Sequence, residues 1–233
     1  MPATADNDYD AFAAAYAADN ERNAWNAHYE RPATLRLAGD VAGRRVLDAG
    51  CGAGTLTAAL LDRGAEVVGI DSSHALLRLA AERVHGRADL RPADLRHPLP
   101  LRDGMFDVVV AALVMHYLPD WDPTLHEFHR VLAPGGRLVL STHHPFMDHV
   151  ISGGSDYFAT YDFTESWERG GHAVQMRFWH RPLSAMTGAI AAAGFQLQAV
   201  DEPQPDPVVR NLDPAAWASL TTQPRYIFFV AVR

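Results

Sequence analysis

The stretch "VLDAGCGAG", residues 46 to 54, decides how the chain is read. Arg45 to Asp48 is a short apolar run that reads as a buried strand. Glycines follow at 50, 52 and 54. Then "TLTAALLDRG" reads as a helix, with Leu56, Ala59, Leu60 and Arg63 at helical spacing and Gly64 as its stop. Glycines at such a turn permit positive φ and let a ligand approach the backbone. The free N–H groups at the helix start favour an anionic group. The spacing is G-x-G-x-G, and Thr55 stands where the dinucleotide fingerprint has its third glycine. Asp48, just before the loop, would repel a pyrophosphate and suits a cationic amino-acid end group. Asp71 ends the next strand roughly 20 residues on, where an acid can hold ribose hydroxyls.

Outward from this loop the alternation continues. "AEVVGID" is a second strand, and "SSHALLRLAAERVHG" a helix capped by Ser72 or Ser73. "DLRPADL" is a weaker third strand, and "MFDVVVAALVMHY" contains a fourth. Asp122-Pro123 opens the helix "PTLHEFHRVL", and "APGG" turns into a fifth strand, "RLVLSTHH". Unbroken Val/Leu/Ile character means strands covered on both faces. Strand–helix alternation with short connections predicts an α/β, Rossmann-like, doubly wound sheet. Beyond it come a helix from Leu183 to Ala193, a strand near "FQLQAV", a short helix from Pro214, and a last strand "YIFFVAV". The last two strands can pair antiparallel. Tyr9, Phe12 and Tyr16 share a helical face ahead of the first strand, and residues 146 to 182 read as an aromatic-rich hairpin turning at Gly170-Gly171.

Composition narrows the function. The 233 residues are enough for one domain, and 48% are hydrophobic, as in a soluble globular protein. A net charge of −8 with no Lys/Arg-rich tract argues against a nucleic-acid or membrane partner. The acidic N-terminus does not read as a secretory signal, and no apolar run nears the roughly 18 residues of a membrane span. A single cysteine, Cys51, excludes an internal disulfide and points to a reducing, cytoplasmic setting. Twelve histidines raise the question of a metal, but none forms H-E-x-x-H or a Cys/His site, so no metal is expected.

"VLDAGCGAG" resembles the S-adenosylmethionine loop of class I methyltransferases. The rest follows in that family's order: "VVGID", "ADLRHPLPLRDGMFDVVVAALVMHYLPDW", then "HRVLAPGGRLVLSTHHPF". The likeness runs over residues 44 to 146, and "WHRPLSAMTGAIAAAGFQLQAVDEPQP" resembles a bacterial small-molecule branch. It implies a seven-stranded sheet, mostly parallel with an antiparallel last strand. It divides the single domain into an N-terminal helical lid (1–43), a cofactor core (44–145), a hairpin insertion after the fifth strand that forms the substrate pocket (146–182), and a C-terminal completion (183–233). It implies S-adenosyl-L-methionine as cofactor, with Asp48, Gly50, Cys51 and Gly52 along its methionine and ribose part. Asp71 and Ser72 would hold the ribose, Asp94 and Leu95 the adenine, and Leu113 would lie near the methionine end. Tyr16 and Tyr29 belong to the expected lid.

The implied reaction moves a methyl group from a sulfonium to a nucleophile, so the protein mainly supplies position and a dry site. A base is needed only if the acceptor must lose a proton. His116 follows strand four, His143-His144 end strand five, and His180 ends the hairpin. Of these, His144, His116 and His180 are the expected catalytic group, with His144 preferred over His143 because Pro145 fixes its backbone. Arg181 is expected to pair with Glu202. The aromatics of the insertion (Phe146, Tyr157, Phe158, Tyr161, Trp167, Phe178, Trp179) predict a small, aromatic or apolar acceptor, bound by a monomer or homodimer. Two other functions compete: a nicotinamide-dependent oxidoreductase, disfavoured by Thr55, and a cofactor-binding protein without turnover.

Overall fold

The computed structural model describes residues 7–169 and 172–233; the expected Gly170-Gly171 turn lies outside the described residues. Seven strands form one sheet: β1 (Arg45–Ala49), β2 (Glu66–Asp71), β3 (Asp89–Pro92), β4 (Phe106–Ala112), β5 (Leu132–His143), β8 (Gln196–Asp201) and β9 (Tyr226–Val232), in the order β3-β2-β1-β4-β5-β9-β8. Strands β1 to β5 pair in parallel, and β9 runs antiparallel to both β5 and β8. The strand order reverses between β2 and β4, on either side of β1. A crevice opens at that switch point, above the carboxyl ends of the strands.

Two apolar layers cover the sheet. Alternate residues point to opposite faces of a strand, so Val46, Val108, Val110 and Val139 meet one layer, and Leu47, Val109, Leu138 and Leu140 the other. The first layer is built by α2 (Arg31–Ala38) and α3 (Thr55–Asp62) through Leu35, Leu56 and Leu60. The second is built by α5 (Asp122–Val131) and α7 (Leu183–Ala192) through Leu125, Phe128, Met186 and Ile190. Helix α4 (His74–Val84) begins at Ser73, whose hydroxyl oxygen accepts the Leu76 N–H at 3.1 Å. These elements follow the sequence expectation closely.

Three regions differ from it in detail. The N-terminal aromatics lie on a 3-10 turn (Tyr9–Phe12) running into α1 (Ala13–Asn20), and a π-type turn (Asn26–Glu30) leads into α2. Between β5 and the hairpin, α6 (Pro145–Ser152) occupies the first part of the stretch that reads from the sequence as hairpin. Pro145 occupies its first turn, where proline's missing N–H costs nothing and its φ suits a helix. The hairpin itself is present as β6 (Tyr161–Arg169) and β7 (His172–His180). A single turn, α8 (Val209–Leu212), precedes α9 (Pro214–Leu220).

Candidate active site

The glycine loop leaves β1 at Gly50 and enters α3 at Thr55. Gly50 has φ +81°, and a Cβ there would lie 2.7 Å from Val114 Cγ2, so the loop must be bare for β1 and β4 to end side by side. At Gly52 (φ +54°) a Cβ would meet nothing within 4 Å, because it would project into open space. That space is a cleft of about 350 Å³ lined by Gly50, Gly52, Asp71, Ser72, Asp94 and Leu95, with Leu76, Leu113, Tyr16 and Tyr117. Behind the loop a niche of about 70 Å³ is lined by Asp48, Cys51, Glu30 and Arg31. On the other side a chamber of about 610 Å³ holds His116, His143, Asp148, Trp167, Arg225 and Tyr226. Tyr16 and Leu113 line all three spaces and therefore stand at their junction. Leu113 has φ +50°, a strained value for a leucine, held by its N–H donating to the Ser141 carbonyl and hydroxyl oxygens at 3.1 and 3.0 Å.

The acids at this junction are unusual. Asp48 is buried; its Oδ2 accepts the Thr57 hydroxyl at 2.6 Å, while Oδ1 has no hydrogen-bond partner. Burial pushes its carboxyl up to about 7. Glu30 is also buried, and its Oε1 accepts from the Thr34 and Ser141 hydroxyls at 2.5 and 2.7 Å; burial raises it as well. Asp71 accepts the Gly52 N–H at 2.8 Å and the Ser73 N–H at 2.9 Å, which points its carboxylate along the cleft; burial raises it too. Asp94 lines the cleft with its carboxylate forked by Arg96. Cys51 is buried and its thiol is pushed up by that burial, which removes it as a nucleophile.

An N-terminal strap crosses the cleft. The Asn7 side chain pairs with the Arg177 backbone of β7 through two hydrogen bonds of 2.8 Å. The Tyr9 hydroxyl bonds to that of Tyr117, and Asp10 takes both the Ser73 hydroxyl and, at 3.1 Å, the Ala75 N–H at the start of α4. The strap thus joins the hairpin, the turn after β4 and α4. Tyr16 packs edge-on against Tyr9.

Several expected residues sit elsewhere. Tyr29 is buried against Tyr226, with ring centroids 5.3 Å apart, and does not line the cleft; its neighbours Glu30 and Arg31 reach the niche instead. His144 is the N-cap of α6: its Nδ1 accepts the Phe146 N–H at 3.3 Å and its Nε2 donates to Glu202 at 2.8 Å. It lines none of the three spaces. His180 is buried, with Nε2 donating to the Tyr157 carbonyl at 2.9 Å, and is also outside them. Glu202 is therefore taken by His144, and Arg181 instead donates to the Leu118 carbonyl at 2.8 Å and lies over the Trp121 ring. Among the insertion's aromatics only Trp167 faces the chamber; Trp179 faces the cleft, Phe178 is core, and Phe158 is 78% exposed. The chamber is consequently more polar than an aromatic insertion predicts, with Arg22, Glu165 and Arg225 on its wall. His116 and His143 do face it, stacked at 3.8 Å and 20°. Burial, then His143, holds His116 well below the usual imidazole range, so it is neutral at physiological pH.

Similarity to known proteins falls on the same parts. Residues 47–140 match the family model described as Methyltransferase domain. A ubiquinone biosynthesis O-methyltransferase of Pseudomonas aeruginosa is 37% identical over 107 residues, which are 44% of this chain and 45% of that protein. The chain thus matches less than half the length of the curated relatives. Over nearly the full chain, the fold is similar to an S-adenosylmethionine-dependent methyltransferase from Mesorhizobium loti (TM-score 0.70, 24% identity, 87% of this chain and 96% of that one). It is also similar to a putative one from Listeria monocytogenes (TM-score 0.72, 22% identity, 88% and 96%). The strand order, the glycine loop and these likenesses converge: residues 47–140 match the methyltransferase domain model, in a chain with the class I methyltransferase fold.

Proposed function

We propose that the chain is an S-adenosylmethionine-dependent methyltransferase acting on a small molecule. The observation that carries this is Asp48 Oδ1, a buried carboxylate oxygen with no partner at the inner end of a cleft whose middle holds Asp71. A dry acid without a cation is costly to maintain. An ammonium group in the niche would complete it, and Arg31, at the same niche, offers a guanidinium to a carboxylate. The residues therefore fit the amino-acid end of S-adenosylmethionine. Asp71 and Ser72 would hold the ribose diol. Asp94, Leu95, Leu76 and Leu113 would enclose the adenine between apolar sides and one acid.

When bound, this cofactor supplies an electrophilic methyl carbon whose bond to sulfur breaks with both electrons left on sulfur. The chain's own part is positioning and exclusion of water. Leu113 and Tyr16, shared by the cleft and the chamber, set where the acceptor's nucleophilic atom can come to rest. The strap through Asn7, Tyr9 and Asp10 acts as the lid, and the 146–182 segment as the wall of the acceptor pocket.

A phenol- or alcohol-type oxygen is favoured as the accepting atom, because the curated relatives are named O-methyltransferases and the chamber presents the histidines His116 and His143. A net charge of −8 supports a small molecule over nucleic acid, and one buried thiol fits a cytoplasmic protein that acts as a monomer or homodimer. No described helix is long and apolar enough to cross a membrane. Incubating the chain with methyl-labelled S-adenosylmethionine and a small-metabolite extract tests the reading. Labelled small products with matching S-adenosylhomocysteine are expected; label found only in protein, or no turnover despite cofactor binding, would favour a macromolecular acceptor or a binding protein.

A further inference from the structure

His143 ends β5 on the same face as Val139 and Ser141, and its ring lies in the chamber wall between His116 (3.8 Å) and Tyr226 (6.1 Å). Its Nδ1 is 3.1 Å from Asp148 Oδ1 on α6. Asp148 is 3% exposed, and its Oδ2 is buried with no hydrogen-bond partner, so the carboxylate is aimed at the imidazole. The contact with the Asp148 oxygen places the ring proton on Nδ1, which leaves the Nε2 lone pair free; no hydrogen bond to Nε2 occurs among the described residues. A base within reach of the chamber, oriented by a buried acid and stacked on a neutral ring, has the arrangement that activates a proton-bearing nucleophile.

We propose that His143, positioned by Asp148, is the proton acceptor of the site, and that the chamber takes a phenolic hydroxyl. This deepens the methyltransferase reading and rests on it. The proton passes from the hydroxyl to His143 Nε2, the oxygen keeps both electrons and forms the new bond to the methyl carbon, and the imidazolium returns its proton to water. Asp148 stabilises the imidazolium while it exists. A phenol (about 10) lies within range of an imidazole (about 6.5), whereas an aliphatic hydroxyl, closer to water at about 15.7, does not. The aromatic walls Trp25, Trp167, Tyr117 and Tyr226 suit a flat ring. The other charged or titratable groups facing the chamber, Asp19, Arg22, His28, Glu165, Asp213 and Arg225, stand on its wall and would orient polar substituents.

The test uses the full chain saturated with S-adenosylhomocysteine and para-nitrophenol, whose ionised form absorbs visibly. With wild type, bound probe should ionise about 1–3 units below its value in water, as expected beside an imidazolium. His143→Gln should abolish that shift, Asp148→Asn should reduce it, and Asp148→Glu should restore part of it, which a purely structural role for Asp148 would not do. Calorimetry should give the same S-adenosylhomocysteine affinity in all four proteins. Probe bound as the neutral phenol, a shift that survives His143→Gln, or no probe binding would each overturn the proposal. If S-adenosylhomocysteine fails to bind while the His143-dependent shift persists, the methyltransferase reading falls and the acid–base site stands.

Discussion

The Thr57 hydroxyl donates to Asp48 Oδ2 at 2.6 Å, while Oδ1 of the same carboxylate is buried without a partner. Helix α3 therefore satisfies one oxygen of the acid and leaves the other unpaired. Stability and binding should be opposed at this residue. Asp48→Asn should raise the melting temperature of the ligand-free protein at pH 8 by roughly 2–4 °C for each kcal/mol regained and weaken S-adenosylhomocysteine binding at least tenfold. Equal loss of both in scanning calorimetry and titration would mean that Asp48 is simply structural.

The same acid predicts a pH dependence. Its folded value, about 7, lies above the ordinary carboxylate value. The fold therefore prefers the protonated form. Its destabilising contribution sets in above the unfolded value near 3.9 and is complete above about 7. Cofactor binding needs the ionised form. Affinity for S-adenosylhomocysteine should be flat above about pH 7 and fall up to tenfold per unit below it, and Asp48→Asn should flatten the profile. Titrations between pH 5.5 and 8.5 would check this.

His144 lines none of the three spaces. As the N-cap of α6, with a 3% exposed side chain bonded to Glu202, it should serve stability. His144→Ala should cost about 2–4 kcal/mol in denaturant unfolding, from the lost cap and the buried volume. Cofactor affinity should stay within about twofold of wild type. Normal stability with impaired turnover would return His144 to the reaction.

The strap should set how fast the cofactor leaves. Tyr9→Phe leaves the Tyr117 hydroxyl without the partner it has in the closed site. The cost of such an unmet buried group, about 1–3 kcal/mol, should appear as an S-adenosylhomocysteine dissociation rate at least about 5-fold faster. Trp179 lines the cleft, so stopped-flow fluorescence can follow it. An unchanged rate would show that Tyr9 does not close the site.

The cofactor half of the site was legible because its parts are local. Asp48, the glycines and Asp71 lie at strand ends whose apolar runs and helix starts are written within a few residues of them. The antiparallel β9 was legible as an apolar final strand. The acceptor half depends on long-range choices. His143 and His144 point to opposite sides of one strand end, and only the packing of α6 and β9 decides which side is the chamber. The His144-Pro145 pair carries two signals: the proline holds His144 itself extended (φ −74°, ψ 128°), and proline after a capping residue marks a helix start. The π-type turn at Asn26–Glu30 sets Tyr29 against Tyr226 and Glu30 at the niche, a rotation that no local pattern announces. No sequence pattern marked Asp148, whose role comes from a contact five residues away across the helix start.

The central claim, that Asp48 and Asp71 frame one S-adenosylmethionine site, is tested most directly by calorimetric titration with S-adenosylhomocysteine. Wild type should bind one equivalent, with affinity reduced at least tenfold in Asp48→Asn and separately in Asp71→Ala. No binding to wild type, or unchanged affinity in both variants, would contradict it.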